Sequence, residues 1–138
     1  MLKNYINGKW KDSYEKLTIK ANNPATQKII AEIPFGEKNI KDVNEAVNCA
    51  YNAYLEWRDV PVMKRVQVLY RLKSLMEDNL DTLAETITNE CGKTKSESYG
   101  ELQRAIENIE VACGTPMLIQ GDFIEDIASG IDEMMIRQ

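Results

Sequence analysis

Glu90 to Gln138 reads ECGKTKSESYGELQRAIENIEVACGTPMLIQGDFIEDIASGIDEMMIRQ, and this stretch decides the fold. Thr94 can cap a helix, and Glu97, three residues on, completes a capping-box pattern. Leu102, Ala105, Ile106, Ile109, Ala112 and Cys113 then share one helical face. Gly114 and Pro116 end it. Gly121 to Ala128 and Asp132 to Gln138 read as two strands, with Ser129-Gly130-Ile131 as the turn. A hairpin alone is marginal in water. This one has few partners in the preceding sequence, so it implies a sheet or a subunit beyond itself.

Working back from there, three more helices are predicted. Leu80, Leu83, Ala84 and Ile87 mark one, with Gly92 placed to stop it in a left-handed conformation. Val62, Val66, Leu69, Leu72, Leu75 and Met76 form the stripe of another, and Pro61 suits its first turn. Ile40, Val43, Ala46, Val47, Ala50, Ala53 and Trp57 recur at helical spacing in the first. The N-terminal third reads as short strands. Asn7-Gly8 is the favoured type I′ hairpin dipeptide. Leu17 to Ala21 alternates apolar and polar, Asn23-Pro24-Ala25-Thr26 signals a turn, and Lys28 to Pro34 reads as a longer strand. Strands, four helices and a hairpin in that order suggest α+β, or a piece of a larger α/β protein. No linker divides the sequence.

Composition narrows the function. The 138 residues make one domain or less. A net charge of −5 gives no basic footprint for nucleic acid. No apolar run is long enough for a signal peptide or a membrane span. Cys49, Cys91 and Cys113 are odd in number and far apart, which points to a reducing cytoplasm. Histidine is absent, so the commonest general base and metal ligand are missing, and a transition-metal site is not expected. No two of the seven glycines lie within six positions. Phosphate-cradling loops need closer glycines, because adjacent backbone amides must wrap the phosphate.

The remaining candidates read mostly as structure. Cys91 precedes Gly92-Lys93, where a cation could lower its pKa, but a thiol at a helix end is the simpler reading. Cys113 lies on an apolar stripe, and Cys49 has no partner in sequence. The carboxylate pairs Glu107/Glu110, Asp122/Glu125 and Asp132/Glu133 read as solvated surface. Tyr51, Tyr54 and Trp57 read as packing residues. Arg104 sits opposite its helix's apolar stripe, and by pattern alone it is a surface arginine paired with Glu101.

Several segments together resemble the N-terminal region of aldehyde dehydrogenases. They are YINGKW at Tyr5 to Trp10, NPATQKIIAEIP at Asn23 to Pro34, the pattern of Trp57, Arg58, Pro61, Arg65 and Leu69, and Glu90-Cys91-Gly92-Lys93. Gly100 to Arg104, Glu107 to Glu110, Ala112-Cys113-Gly114, Gly130-Ile131-Asp132 and Arg137-Gln138 resemble the CoA-acylating methylmalonate-semialdehyde dehydrogenase subgroup.

The resemblance implies an NAD-dependent oxidation in which a cysteine thiolate attacks the aldehyde, hydride passes to NAD, and the thioester passes to CoA. It implies that Arg104 binds the substrate's carboxylate, and that favours a substrate role for it. Residues 1–120 would be part of the cofactor-domain scaffold. Residues 121–138 would be a hairpin of the oligomerisation sheet, able to self-associate or to meet the rest of the enzyme. The family's nucleophile, oxyanion-hole asparagine and phosphate site match nothing before Gln138, and that role passes to none of Cys49, Cys91 or Cys113. The chain alone is therefore expected to be inactive and to bind neither NAD nor CoA. It would be a piece of a longer enzyme, a disrupted gene product or half of a split one. The alternative is a non-catalytic assembly or binding module derived from the scaffold.

Overall fold

The computed structural model describes residues 1–137. In chain order it places β1 (Asn4–Ile6), β2 (Lys9–Lys11), β3 (Thr18–Asn22), β4 (Ile29–Pro34), α1 (Asn39–Trp57), α2 (Val62–Asp78), α3 (Leu80–Cys91), α4 (Lys95–Cys113), α5 (Thr115–Leu118), β5 (Asp122–Ala128) and β6 (Ile131–Met135). The mixture of strands and helices is the one expected. The chain divides into two compact units, Met1–Val60 with Leu80–Glu101, and Pro61–Asn79 with the residues from Leu102 onward.

In the first unit, β1 and β2 form an antiparallel hairpin in which Tyr5 faces Trp10. Their rings lie 5.0 Å apart, tilted by 57°. Asn7 and Gly8 both have positive φ, 51° and 73°, as a type I′ turn requires. β3 and β4 form a second antiparallel pair, from Thr18 opposite Pro34 to Asn22 opposite Ile29. The turn between them is closed by Asn23, whose Oδ1 accepts the N–H groups of Ala25 (2.9 Å) and Thr26 (3.0 Å).

Buried polar side chains hold the loop after β2 to the start of α1. The Ser13 hydroxyl donates to Asp42 Oδ2 at 2.5 Å, and the Tyr14 N–H reaches Asp42 Oδ1 at 3.3 Å. Glu15, only 4% exposed, accepts the N–H groups of Lys16 (2.7 Å), Leu17 (2.9 Å) and Lys38 (3.2 Å). A buried carboxylate is tolerated when its lone pairs are filled in this way. Those three N–H groups, with Leu17 contributing most, also hold its pKa below the ordinary glutamate value.

α3 ends as expected. Gly92 takes φ 73° and donates its N–H to Thr88 O at 2.9 Å. A Cβ at Gly92 would lie 2.9 Å from both the Ala25 nitrogen and Pro24 Cγ. The glycine thus serves the helix stop and the close approach of the Pro24-Ala25 turn together. The capping box also forms: the Glu97 N–H donates to Thr94 Oγ1 (3.3 Å), and Glu97 Oε2 accepts the Thr94 N–H (2.9 Å) and hydroxyl (2.8 Å). Ala84 and Ser98 are fully buried in this unit.

In the second unit Val66, Leu102, Ile106 and Cys113 are buried, so the predicted α4 stripe faces inward. Pro61 stands at the N-cap of α2 rather than inside its first turn. α5 was not expected from sequence. Pro116 follows Gly114 closely enough to read as a stop, yet proline's fixed φ also suits a first helical turn, where it stands here. The described residues therefore hold five helices rather than four. β5 and β6 pair with Phe123 opposite Met134 and Ile124 opposite Glu133. The register shifts before Ala128, where Asp126 has φ 51° and its N–H donates to Asp132 Oδ1 at 3.0 Å. Ile131 belongs to β6, so the turn is Ser129-Gly130 alone, and the strand ends at Met135. The last residue of the predicted strand, Gln138, lies outside the described residues.

Candidate functional site

α4 positions the one side chain singled out for binding. The inward stripe from Leu102 to Cys113 fixes the helix's rotation and turns Arg104 outward, where its side chain is 83% exposed. The expected pairing with Glu101 is not what holds it. Glu101 is engaged by Lys93, and Arg104 pairs loosely with Glu107 at 3.8 Å. Both contacts are exposed, and such an i,i+3 pair contributes a few tenths of a kcal/mol at most. The guanidinium is free to meet an anion at little cost.

The thiols do not assemble into a reaction centre. Cys91 is exposed at the end of α3, Cys49 is half-buried on α1, and Cys113 is buried in the α4 stripe. Cys113 thus packs as its position on the stripe implied. The acids read as solvated surface, Glu107, Glu110, Asp122, Glu125, Asp132 and Glu133, are all exposed. The buried acids are Glu15 and Asp42, and both are consumed by the loop at α1. Sequence gave little signal for them beyond a Ser-x-Glu in a loop and an aspartate in a first helical turn.

The aromatics of α1 depart from expectation. Tyr51, Tyr54 and Trp57 are 61%, 52% and 45% exposed rather than packed, and Ile40, Val43 and Val47 on the same stripe are exposed with them. Their spacing made a correct helix, but the stripe is left largely open, with the Arg58 guanidinium 5.8 Å from the Tyr54 ring centroid as partial cover. A shallow groove lined by Gln67, Tyr70, Arg71, Ser74 and Leu75 runs along α2 and gathers no convergent polar groups. No helix among the described residues is long and apolar enough to cross a membrane.

The aldehyde dehydrogenase family model matches residues 10–138. A malonate-semialdehyde dehydrogenase of Bacillus pumilus (strain SAFR-032) is 45% identical over 137 residues, which is 99% of this chain and 28% of that protein. The chain therefore spans a little over a quarter of that relative's length. A solved methylmalonate-semialdehyde dehydrogenase from Oceanimonas doudoroffii matches with a TM-score of 0.85 and 36% identity, covering 94% of this chain and 26% of the other. An NAD-dependent benzaldehyde dehydrogenase from Corynebacterium glutamicum matches with a TM-score of 0.82 and 26% identity, covering 93% and 28%.

Proposed function

The chain belongs to the aldehyde dehydrogenase family, and from that premise we propose that it forms the N-terminal part of an NAD-dependent, CoA-acylating malonate- or methylmalonate-semialdehyde dehydrogenase. The observation that carries this reading is the 45% identity to a malonate-semialdehyde dehydrogenase across nearly the whole chain. The outward, loosely paired Arg104 supports it, since a semialdehyde acid offers a carboxylate for a guanidinium to grip. Such a charge-assisted contact is worth about 1.5–3 kcal/mol. That is roughly a ten- to hundredfold preference over a neutral aldehyde.

NAD would supply the hydride acceptor in the complete enzyme, and CoA the acyl acceptor. The described residues do not fit either group. No glycine-rich turn opens a helix with clustered amides, and the lysines near Cys91 and Cys49, Lys93 and Lys11, are held in ion pairs with Glu101 and Glu45. No chemical step is therefore assigned to these residues. Their part is to present Arg104 and to form scaffold. The purified 138-residue chain is expected to form no NADH from malonate or methylmalonate semialdehyde with NAD and CoA. Turnover that scales with its concentration would refute the reading.

The hairpin supports a role in assembly. Every residue of β5 and β6 is exposed, including Phe123 (62%), Ile127 (51%) and Met134 (68%). Unpaired strand edges with apolar side chains favour strand addition. Residues 121–138 would thus join a sheet shared with another subunit or with the rest of the enzyme.

A further inference from the structure

α2 carries four cations, and they are not treated alike. Lys64 and Arg71 are exposed, so water serves them. Lys73 is half-buried and is paired twice, with Glu77 at 2.7 Å and with Glu110 at 3.4 Å. Arg65 is also half-buried, but its Nε is sealed from solvent with no hydrogen-bond acceptor. Among the described residues it makes no ion pair within 4.0 Å. Its backbone is ordinary, with the N–H donating to Pro61 O at 3.1 Å.

A buried donor without a partner is destabilising, and the cost is larger when the group is charged. Folded proteins rarely leave one so. A carboxylate suits it better than a neutral carbonyl, because two oxygens can fill Nε and a terminal nitrogen together in a forked, charge-assisted contact. Leu69 and Leu72 share the Arg65 face of α2, and Leu72 is 43% exposed, so an apolar contact adjoins the cation.

We propose that Arg65 is an anchor for a carboxylate presented by the part of the parent dehydrogenase that this chain does not contain. The proposal rests on the reading that such a part exists. Arg65 acts in it as a positioning residue that joins α2 to the remainder of the enzyme. It is distinct from Arg104, which faces outward from α4.

The test uses the complete enzyme carrying Arg65→Lys, which keeps the charge and supplies an amine. A zero-length carbodiimide coupling should join position 65 to one aspartate or glutamate outside residues 1–138, seen as a single cross-linked peptide by mass spectrometry. Coupling only to acids within residues 1–138, or none, would overturn the assignment. If that variant does not fold, each acid of the remainder is neutralised to its amide in otherwise unchanged enzyme. One such change should raise phenylglyoxal labelling of Arg65 at least tenfold relative to Arg58. No change doing so would overturn it equally. A native gene with no dehydrogenase remainder would remove the underlying reading itself, which separates that failure from a remainder that is present but makes no contact with Arg65.

Discussion

Replacing Gly92 by alanine should be among the most damaging single-methyl additions in the first unit. Two costs are separable. A non-glycine residue at φ 73° costs about 1–2 kcal/mol from the clash of Cβ with the following carbonyl. The added Cβ would also sit 2.9 Å from the Ala25 backbone nitrogen and from Pro24 Cγ, both in a turn closed by Asn23. Backbone cannot yield as a flexible side chain would, so roughly 1–3 kcal/mol of overpacking is added. The sum is about 2–5 kcal/mol. With a urea dependence of ~2 kcal/mol per molar, the midpoint should fall by about 1–2.5 M. Gly130→Ala is the control. It has φ 72° and nothing within 4 Å of its Cβ, so it carries the conformational cost alone. Urea unfolding followed by far-ultraviolet circular dichroism gives both midpoints. If Gly92→Ala unfolds no earlier than Gly130→Ala, the close approach of the α3 stop to the Pro24-Ala25 turn does not constrain position 92.

Other outcomes follow from the same geometry. Arg104→Gln in the complete enzyme should raise KM for malonate semialdehyde about ten- to a hundredfold and leave a neutral aldehyde nearly unchanged; equal effects on both would return Arg104 to the surface. Thr94→Ala should cost about 1 kcal/mol by thermal melt, since it removes the α4 cap. Acid should weaken the fold through Glu15, held by the Leu17, Lys38 and Lys16 N–H groups, and Glu97, held by the Thr94 hydroxyl and N–H. Both carboxyls are depressed in the folded state, so their contribution is present above the ordinary glutamate value of about 4.3 and is lost as pH falls through the folded values. A pH-stability curve unchanged by Glu15→Gln and Glu97→Gln between about pH 5 and 2 would contradict this. Met134→Lys, placing a charge on the exposed hairpin, should shift sedimentation of the complete protein toward smaller species.

Local chemistry carried most of the fold in the sequence. Asn7-Gly8, Asn23-Pro24, Gly92 and the Thr94/Glu97 pair each demand one backbone geometry, and each adopts it. The α4 stripe likewise turned inward as its period required. What stayed hidden depends on distant partners. Ser13, Glu15 and Asp42 look like ordinary surface polar residues until the loop closes on α1. The α1 stripe has the period of a packed helix, but periodicity names the face and not what covers it. Pro116 was ambiguous because the same residue stops one helix and opens another. At the candidate site, pattern alone joined Arg104 to Glu101, but Lys93 reaches that acid first, and sequence distance did not reveal the competition.

On the proposed function, these residues open a semialdehyde dehydrogenase. Sequencing the native transcript past codon 138, in all frames, tests it most directly. A remainder that carries the cysteine nucleophile and the cofactor site is expected. A genuine stop with no such remainder nearby would contradict it and leave an assembly module derived from the scaffold.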